Sequence, residues 1–184
     1  TFDVLYFGTL ALRAEENVKT LKALLSENRY KEVFVDINIR PPFYSDDVVT
    51  FAVANATMLK VSEEELPAVC SALAMPAVGS FPDFAKTLAQ RYEKLKCIII
   101  TLGADGAFVL DCRRQEAWTC GSAEVEVVST VGAGDSFSAA FLSKYMRGCP
   151  IEKCLDHAVK VAGFVVSCFD AVSDYTLEDI MKMQ

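Results

Sequence analysis

The sequence has only one histidine, His157, and its seven cysteines include no C-x-x-C pair. The single histidine gives no positive case for a Ser-His-Asp triad and, without paired ligand spacing, argues against a zinc site. The odd number of cysteines, several of them within apolar runs, predicts reduced and buried thiols in a cytoplasmic protein. No apolar run approaches the roughly 20 residues of a membrane span. No G-x-G-x-x-G motif follows an early strand, which argues against a dinucleotide-binding oxidoreductase.

Positive charge is also scarce. The chain has 18 Lys and Arg against 25 Asp and Glu, a net charge of −7. This balance argues against nucleic acid or an anionic membrane as a partner. It does not exclude a nucleotide, because local dipoles and Mg²⁺ can outweigh net charge at a site. Apolar residues make up 52% of the 184 residues, which predicts a substantial core in one domain or in a large piece of one.

Strand-like and helix-like segments alternate along most of the chain. Their periodicity predicts strands at residues 2–7, 33–37, 58–61, 97–102, 107–110, 116–119 and 124–128. It predicts helices at residues 14–28, 46–56, 62–73, 81–95, 135–147, 151–168 and 177–182, with a hairpin turn at 111–115. Continuous apolar strands predict a mostly parallel sheet covered on both faces. Ligands bind at the carboxyl ends of such strands, and polar motifs follow the strands at Asp36, Ser62, Gly103 and Asp135.

The most informative motif is T-V-G-A-G-D-S-F at residues 130–137. Its two glycines allow a sharp turn and a close backbone approach to a ligand, and amides at a helix start favour an anion. A carboxylate beside a bound anion is unfavourable, so its presence here indicates a chemical role for Asp135. That role would be to take a proton from a hydroxyl that attacks a phosphoryl group. Alone, the motif is equally compatible with a simple turn. G-x-G-D also occurs in membrane-embedded aspartyl proteases, but those need apolar spans of about 20 residues.

This motif resembles the C-terminal signature of the ribokinase-like (PfkB) carbohydrate kinases. In that family the G-A-G-D turn forms an anion hole and its aspartate is the catalytic base. The resemblance implies that Gly132, Ala133 and Gly134 supply backbone donors and that Asp135 is the base, with ATP as the phosphoryl donor.

A second motif, D-I-N-I-R at residues 36–40, follows a strand directly. Asp36, Asn38 and Arg40 alternate along it, so an extended segment would point all three to one side. The segment alone is also typical of a solvated loop before two prolines. It resembles the D-x-N-x-R segment of the fructokinase-like and 2-keto-3-deoxygluconate-kinase-like branch. This resemblance implies that Asn38 and Arg40 lie near the phosphates and the acceptor, with Arg40 neutralising charge on the transferred group.

Two further motifs have adequate structural explanations of their own. Ser62-x-x-Glu65 is a capping box at a helix start, and T-L-G-A-D-G at residues 101–106 is ordinary turn chemistry. The first also resembles the family's N-x-x-E motif, which implies that Ser62 lies at the nucleotide site and that Glu65 organises Mg²⁺ through water. The second resembles the T-x-G-x-x-G segment that lines the ATP site, here with Thr101, Gly103 and Gly106.

His157 falls where the family has a helix beside adenine, which implies a place in the adenine pocket. A lone helical histidine is more often structural or exposed than functional, so both interpretations stay open. Ser129 and Thr130 stand where many relatives have an Asp-Thr pair that helps to bind a monovalent cation, which leaves activation by potassium open.

The order of the motifs implies a ribokinase-like α/β fold, three α/β/α layers around a mostly parallel central sheet. Residues 1–184 would form the C-terminal, nucleotide-binding and catalytic portion of one domain. The N-terminal part and the lid would be missing, so we expect this fragment alone to be inactive. The chain begins at Thr1 without an initiator Met or a signal peptide and enters an apolar run directly, as expected of a segment cut from a longer protein.

The leading hypothesis is therefore a cytoplasmic, ATP-dependent sugar kinase that uses Mg²⁺ and has Asp135 as its general base. Resemblance alone favours fructose or 2-keto-3-deoxygluconate, a small sugar or sugar acid, as the acceptor. The alternative is a non-catalytic nucleotide-binding or regulatory module of the same fold. Dimerisation through the lid is common in the family, so a homodimer is a further open expectation.

Overall fold

The computed structural model describes residues 1–77, 79–122, 124–170, 172 and 174–183. The strands are β1 Phe2–Gly8, β2 Tyr30–Asp36, β3 Met58–Ser62, β4 Cys97–Thr101, β5 Ala107–Asp111 and β6 Glu116–Cys120. The α-helices are α1 Glu15–Glu27, α2 Asp46–Asn55, α3 Leu66–Ala72, α4 Phe81–Arg91, α5 Ala133–Tyr145, α6 Ile151–Val166 and α7 Leu177–Met181. Short 3-10 turns lie at Thr9–Leu12, Glu63–Glu65 and Gly103–Asp105.

The six strands follow one another in sequence order across one sheet, from β1 to β6. The pairs β1–β2, β2–β3 and β3–β4 are parallel. Each of these pairs is connected through at least one helix, as parallel strands require a crossover rather than a tight turn. The predicted mostly parallel sheet is thereby confirmed.

The chain divides into two compact units. The first comprises Thr1–Thr101 with Leu110–Glu116. Its core joins the centres of β2, β3 and β4 to the apolar sides of α2, α3 and α4. The core side chains buried most deeply include Phe34, Val49, Met58, Leu59, Val69, Phe84, Leu88, Ile98, Ile99 and Ile100. The first four residues of β3 and of β4 are all buried, so both faces of these strands are covered, as the continuous apolar sequence of β4 predicts.

The second unit comprises Leu102–Val109 with Ala117–Gln184. Helices α5 and α6 pack against each other, and α7 packs against α6. Phe137 and Phe141 of α5 are buried and their rings stack. Ala140 and Ala158 are buried as well.

The predicted strand at residues 124–128 is wrong. Residues 124–128 form no strand, and Val127 and Val128 are 64% and 50% exposed. The amides of Val128 and Ser129 instead donate to the carbonyl of Val166, at 2.9 and 3.1 Å. This segment is therefore tied to the end of α6 in place of a neighbouring strand.

Other differences concern helix boundaries. The predicted helix at 62–73 begins as the 3-10 turn Glu63–Glu65 before α3, and α4 ends at Arg91, short of the predicted residue 95. The predicted turn at 111–115 is confirmed: Oδ1 of Asp111 accepts from the amides of Arg113 and Arg114. None of the helices in the described ranges is long and apolar enough to cross a bilayer.

All seven cysteines carry thiols rather than disulfides. Cys70, Cys97 and Cys154 are buried, whereas the other four are half-buried. Burial, with the neighbouring Asp111 carboxylate, raises the pKa of Cys112 to about 11. Burial, with Cys149 and Glu152 nearby, raises the pKa of Cys154 to about 11. Because the thiolate is the reactive form, these two thiols are poor nucleophiles at neutral pH.

Candidate functional site

The carboxyl ends of the first four strands lie side by side in the first unit. Gly8 is opposite Asp36, Asp36 is opposite Lys60, and Ser62 is opposite Thr101. Three positions that the sequence assigns to a ligand site, Asp36, Ser62 and Thr101, therefore share one edge of the sheet. Parallel α/β sheets bind their ligands at this edge.

Asp36 ends β2, and its side chain faces inward. Its carboxylate is buried, and Oδ2 lies 2.6 Å from Nζ of Lys60; the hydroxyl of Tyr6 donates to the same oxygen at 3.3 Å. Asn38 has a φ of 42°, a left-handed conformation that asparagine tolerates better than most residues. The chain therefore leaves the extended conformation before Arg40, and the expected row of three side chains on one side is wrong. Arg40 itself is exposed.

Glu65 connects the second and third sequence motifs. Its Oε2 accepts from the amide of Ser62 at 2.8 Å, which completes the predicted capping box. Its Oε1 accepts from the amide of Ile39 at 2.5 Å. The same half-buried carboxylate thus caps the 3-10 turn after β3 and holds the loop that carries Asn38 and Arg40. Each oxygen keeps a further lone pair, to which a water molecule can donate.

Glu65→Gln in the full-length protein is expected to lower the free energy of unfolding by about 1–2 kcal/mol. The amide replaces one acceptor oxygen with a donor, so either Ser62 or Ile39 loses its partner. Urea unfolding followed by circular dichroism measures the change. Glu64→Gln is the control, because Glu64 is exposed beside it, and should change stability by no more than about 0.5 kcal/mol. Equal midpoints for the two variants would contradict this role of Glu65.

The conformation of the turn after β4 accounts for the glycines at both positions of its motif. Gly103 and Gly106 have φ of 59° and 92°, values that favour glycine. The amide of Leu102 donates to the carbonyl of Gly106 at 2.8 Å and closes the turn. A Cβ on Gly106 would lie 2.0 Å from the carbonyl oxygen of Cys120, whereas one on Gly103 would meet nothing within 4 Å. Only Gly106 is therefore fixed by a close backbone approach.

The turn at residues 132–135 forms the N-terminus of α5, a helix of 13 residues. Gly132 is the N-cap and has a φ of 83°, which is the left-handed region. The amide of Ala133 donates to the carbonyl of Thr130 at 3.3 Å, and that of Ser136 donates to Gly132 at 2.8 Å. Within the described ranges, no protein acceptor takes the amides of Gly132 or Gly134.

Asp135 is exposed in the first turn of α5. The partial positive charge of a helix N-terminus stabilises a carboxylate or a phosphate near these amides. The turn therefore combines a glycine in the left-handed region, two amides without a protein acceptor in the described ranges and an exposed acid. Of the three donors expected from the resemblance, Ala133 differs, because its amide already donates to the carbonyl of Thr130.

His157 lies half-buried on α6 of the second unit. Burial chiefly, with the positive charges of Lys144, Arg147 and Lys160, lowers the pKa of His157, and Asp156 opposes them. The imidazole is therefore neutral at pH 7. Its contact with adenine stays a prediction.

This lowered pKa makes stability depend on pH. The unfolded chain, whose histidine keeps a pKa of 6.5, binds a proton that the folded chain does not. Folding stability is then complete above 6.5 and decreases as the pH falls toward the folded-state pKa. His157→Gln should remove this part of the decrease. Urea midpoints of the two full-length proteins, compared between about pH 7.5 and pH 5, measure it; parallel pH profiles would contradict it.

In the ranges that the structure describes, no group of three or more His, Cys, Asp or Glu side chains is placed to hold a metal ion. Mg²⁺ commonly keeps several waters and takes one or two carboxylates with substrate phosphates. A single carboxylate such as Glu65, acting through water, fits that donor set.

Sequence reasoning missed three residues at the carboxyl edge of the first unit. Lys60 is the buried ion-pair partner of Asp36, and a lysine within an apolar strand was the available signal. The hydroxyl of Thr9 is fully buried and donates to the carbonyl of Ile37 at 2.6 Å. Gly8 is the third, because a Cβ there would lie 2.9 Å from the carbonyl oxygen of Asp36.

Known proteins resemble this chain along most of its length. The model of the pfkB family carbohydrate kinases matches residues 1–177. A cytidine kinase of Thermococcus kodakarensis is 29% identical over 153 residues, 83% of this chain and 52% of that protein. A fructokinase of Rhizobium leguminosarum bv. trifolii is 32% identical over 147 residues, 77% of this chain and 42% of that protein. The chain thus spans about half the length of the curated relatives it matches.

Solved structures show the same fold. A putative ribokinase II from E. coli superposes with a TM-score of 0.79 at 20% identity, over 98% of this chain and 58% of that one. An aminoimidazole riboside kinase from Salmonella enterica gives a TM-score of 0.75 at 21% identity, over 99% of this chain and 63% of that one. The fold is therefore ribokinase-like, as the sequence predicts.

Proposed function

Because this chain belongs to the pfkB family of carbohydrate kinases, we propose that the full-length protein phosphorylates a sugar hydroxyl with ATP, using Asp135 as the general base. The observation that carries the proposal is the geometry of residues 132–135. An exposed aspartate lies in the first turn of α5, next to two glycine amides with no protein acceptor in the described ranges. These are the groups that proton removal and phosphate binding require.

In the proposed reaction, Asp135 accepts the proton of the acceptor hydroxyl as that oxygen attacks the γ-phosphorus. The bond from the γ-phosphorus to its bridging oxygen breaks, and ADP leaves. The amides of Gly132 and Gly134 donate to oxygens of the transferred group, and one such donor contributes about 3 kcal/mol to transition-state stabilisation. Mg²⁺ would supply further neutralisation of phosphate charge, with Glu65 binding it through water.

The roles inferred by resemblance for Arg40, Asn38 and Thr101 are part of the same proposal. Arg40 presents a planar guanidinium suited to phosphate oxygens, and it is exposed in the loop that follows β2. We propose that Arg40 neutralises phosphate charge. The other residues proposed to contribute to nucleotide binding are Asn38, Ser62, Thr101, Gly103, Gly106 and His157. Except for Gly106, whose substitution is expected to destabilise the fold, each assignment is tested by substitution and measurement of the KM for ATP.

The acceptor is proposed as a small molecule with a primary hydroxyl. The D-x-N-x-R segment favours fructose or 2-keto-3-deoxygluconate, whereas the relatives named above include both a fructokinase and a cytidine kinase. A test panel therefore needs sugars, sugar acids and nucleosides.

The decisive experiment measures ADP release by the full-length protein with Mg²⁺ and ATP over that panel. One acceptor should raise ADP release at least about tenfold above the acceptor-free rate, and EDTA should abolish the increase. The competing hypothesis is a non-catalytic nucleotide-binding or regulatory module. It is favoured if calorimetry detects ATP binding while no acceptor raises ADP release. Asp135→Asn in the presence of the best acceptor then tests the base assignment separately.

A further inference from the structure

The ion pair between Asp36 and Lys60 is unusual for its burial. The two side chains are 6% and 7% exposed, and Oδ2 lies 2.6 Å from Nζ. Desolvation of two charges offsets most of their attraction, and well-packed apolar residues of similar volume are often at least as stabilising. Stability of the sheet therefore does not by itself account for the pair.

The pair lies at the base of a loop whose backbone is held at successive peptides. The amide of Ile37 donates to the carbonyl of Lys60 at 3.0 Å, and the carbonyl of Ile37 accepts from the hydroxyl of Thr9 at 2.6 Å. The amide of Ile39 donates to Glu65 at 2.5 Å. Lys60 thus holds the start of this loop through its side chain and through its own carbonyl.

Between these two amides lies Asn38, at a φ of 42°. A left-handed residue is stable only when its surroundings hold it there. Displacement of Asp36 would release the start of the loop that follows it. The exposed Arg40 lies in this loop, four residues after Asp36.

We propose that Asp36 and Lys60 are positioning residues that fix the loop at residues 37–40, so that Arg40 is presented to the phosphates of ATP in one conformation. Neither side chain contacts the substrate. The proposal rests on the proposed function, because it needs Arg40 to act on the nucleotide.

The chain offers a matched control at the opposite, amino ends of the strands. Nζ of Lys96 lies 2.7 Å from Oε1 of Glu32, and these side chains are 21% and 10% exposed. Glu32 also accepts from the hydroxyl of Thr57 at 2.6 Å. This second pair joins the same sheet and lies away from every motif that the sequence assigns to a site.

The experiment compares D36L/K60M with E32L/K96M in the full-length protein. D36L/K60M should raise the KM for ATP about tenfold with a smaller change in kcat, while E32L/K96M leaves both within about twofold. Arg40→Ala should raise the KM similarly in the wild type and add nothing in D36L/K60M, because residues that act through one another are not additive. A wild-type KM in folded D36L/K60M, or fully additive effects with Arg40→Ala, would overturn the proposal.

A second readout keeps this test separate from the proposed function. Amide hydrogen exchange at Ile39 should be at least about tenfold faster in D36L/K60M than in E32L/K96M, with β4 unchanged in both. If the wild type phosphorylates no acceptor, the proposed function fails, and the exchange rate still decides whether the pair positions the loop. Equal exchange at Ile39 in both variants refutes that positioning.

D36N/K60Q covers the case in which D36L/K60M does not fold. It replaces a charge-assisted hydrogen bond with a neutral one of roughly half the strength. An intermediate rise in the KM for ATP, about threefold, with faster exchange at Ile39 supports the proposal. Wild-type values for both measurements in D36N/K60Q refute it.

Discussion

Replacing Asp135 with asparagine in the full-length protein is expected to reduce kcat about 10²- to 10⁴-fold, the range that a positioned general base contributes. Asparagine keeps the size of the side chain and its place in the first turn of α5, but it cannot accept the proton of the acceptor hydroxyl. ATP binding, measured by calorimetry without acceptor, should remain or tighten slightly, because a negative charge near the phosphates is removed.

The control for Asp135→Asn is Glu152→Gln. Glu152 is an exposed acid in the first turn of α6, so its replacement removes the same favourable interaction with a helix N-terminus. Turnover of Glu152→Gln should stay at the wild-type level. Wild-type turnover in Asp135→Asn would remove this residue from the base role, and equal losses in the two variants would indicate a helix effect instead of proton transfer.

Gly106→Ala is expected to lower the free energy of unfolding of the full-length protein by about 3 kcal/mol or more. At φ 92° and ψ −126°, Gly106 is in the mirror image of the β region, which is open to glycine and costly for alanine. A Cβ would also lie 2.0 Å from the carbonyl oxygen of Cys120, so the backbone must move. Urea unfolding measures the loss, and reduced soluble expression is the expected first sign.

Gly103→Ala separates the cost of the backbone conformation from the cost of the close contact. Gly103 also has a positive φ, 59°, but an added Cβ meets nothing within 4 Å. Its replacement should cost only about 1–2 kcal/mol, the strain of a left-handed alanine. Equal losses at the two glycines would show that the contact with Cys120 does not constrain the turn.

The parts of the fold that the sequence predicts well are those that depend on local rules. β4 is a continuous apolar run up to Thr101, and its first four residues are buried. Ser62 and Glu65 have the spacing of a capping box and form one. Gly132 stands where a helix begins after a sharp turn, and it is the left-handed N-cap of α5.

The features that the sequence mispredicts or misses depend on interactions between distant parts of the chain or on backbone conformation. Val127 and Val128 have strand-like sequence, but this segment bonds to the end of α6, and no local pattern reveals that partner. The expected extended conformation of D-x-N-x-R fails because Asn38 has a positive φ, which the alternation of polar residues does not reveal. The ion pair of Asp36 with Lys60 depends on the register between β2 and β3, which a single sequence does not specify.

The approach of Gly106 to Cys120 also affects how such sequences are compared. If the full-length protein has the proposed kinase activity, a descendant that had lost it would still need glycine at 106 to fold, so that glycine is a poor marker of the activity. An exposed acid such as Asp135 is under no comparable packing constraint. Under the proposed function, the loss of Asp135 would therefore be the earlier sign that phosphoryl transfer had been lost.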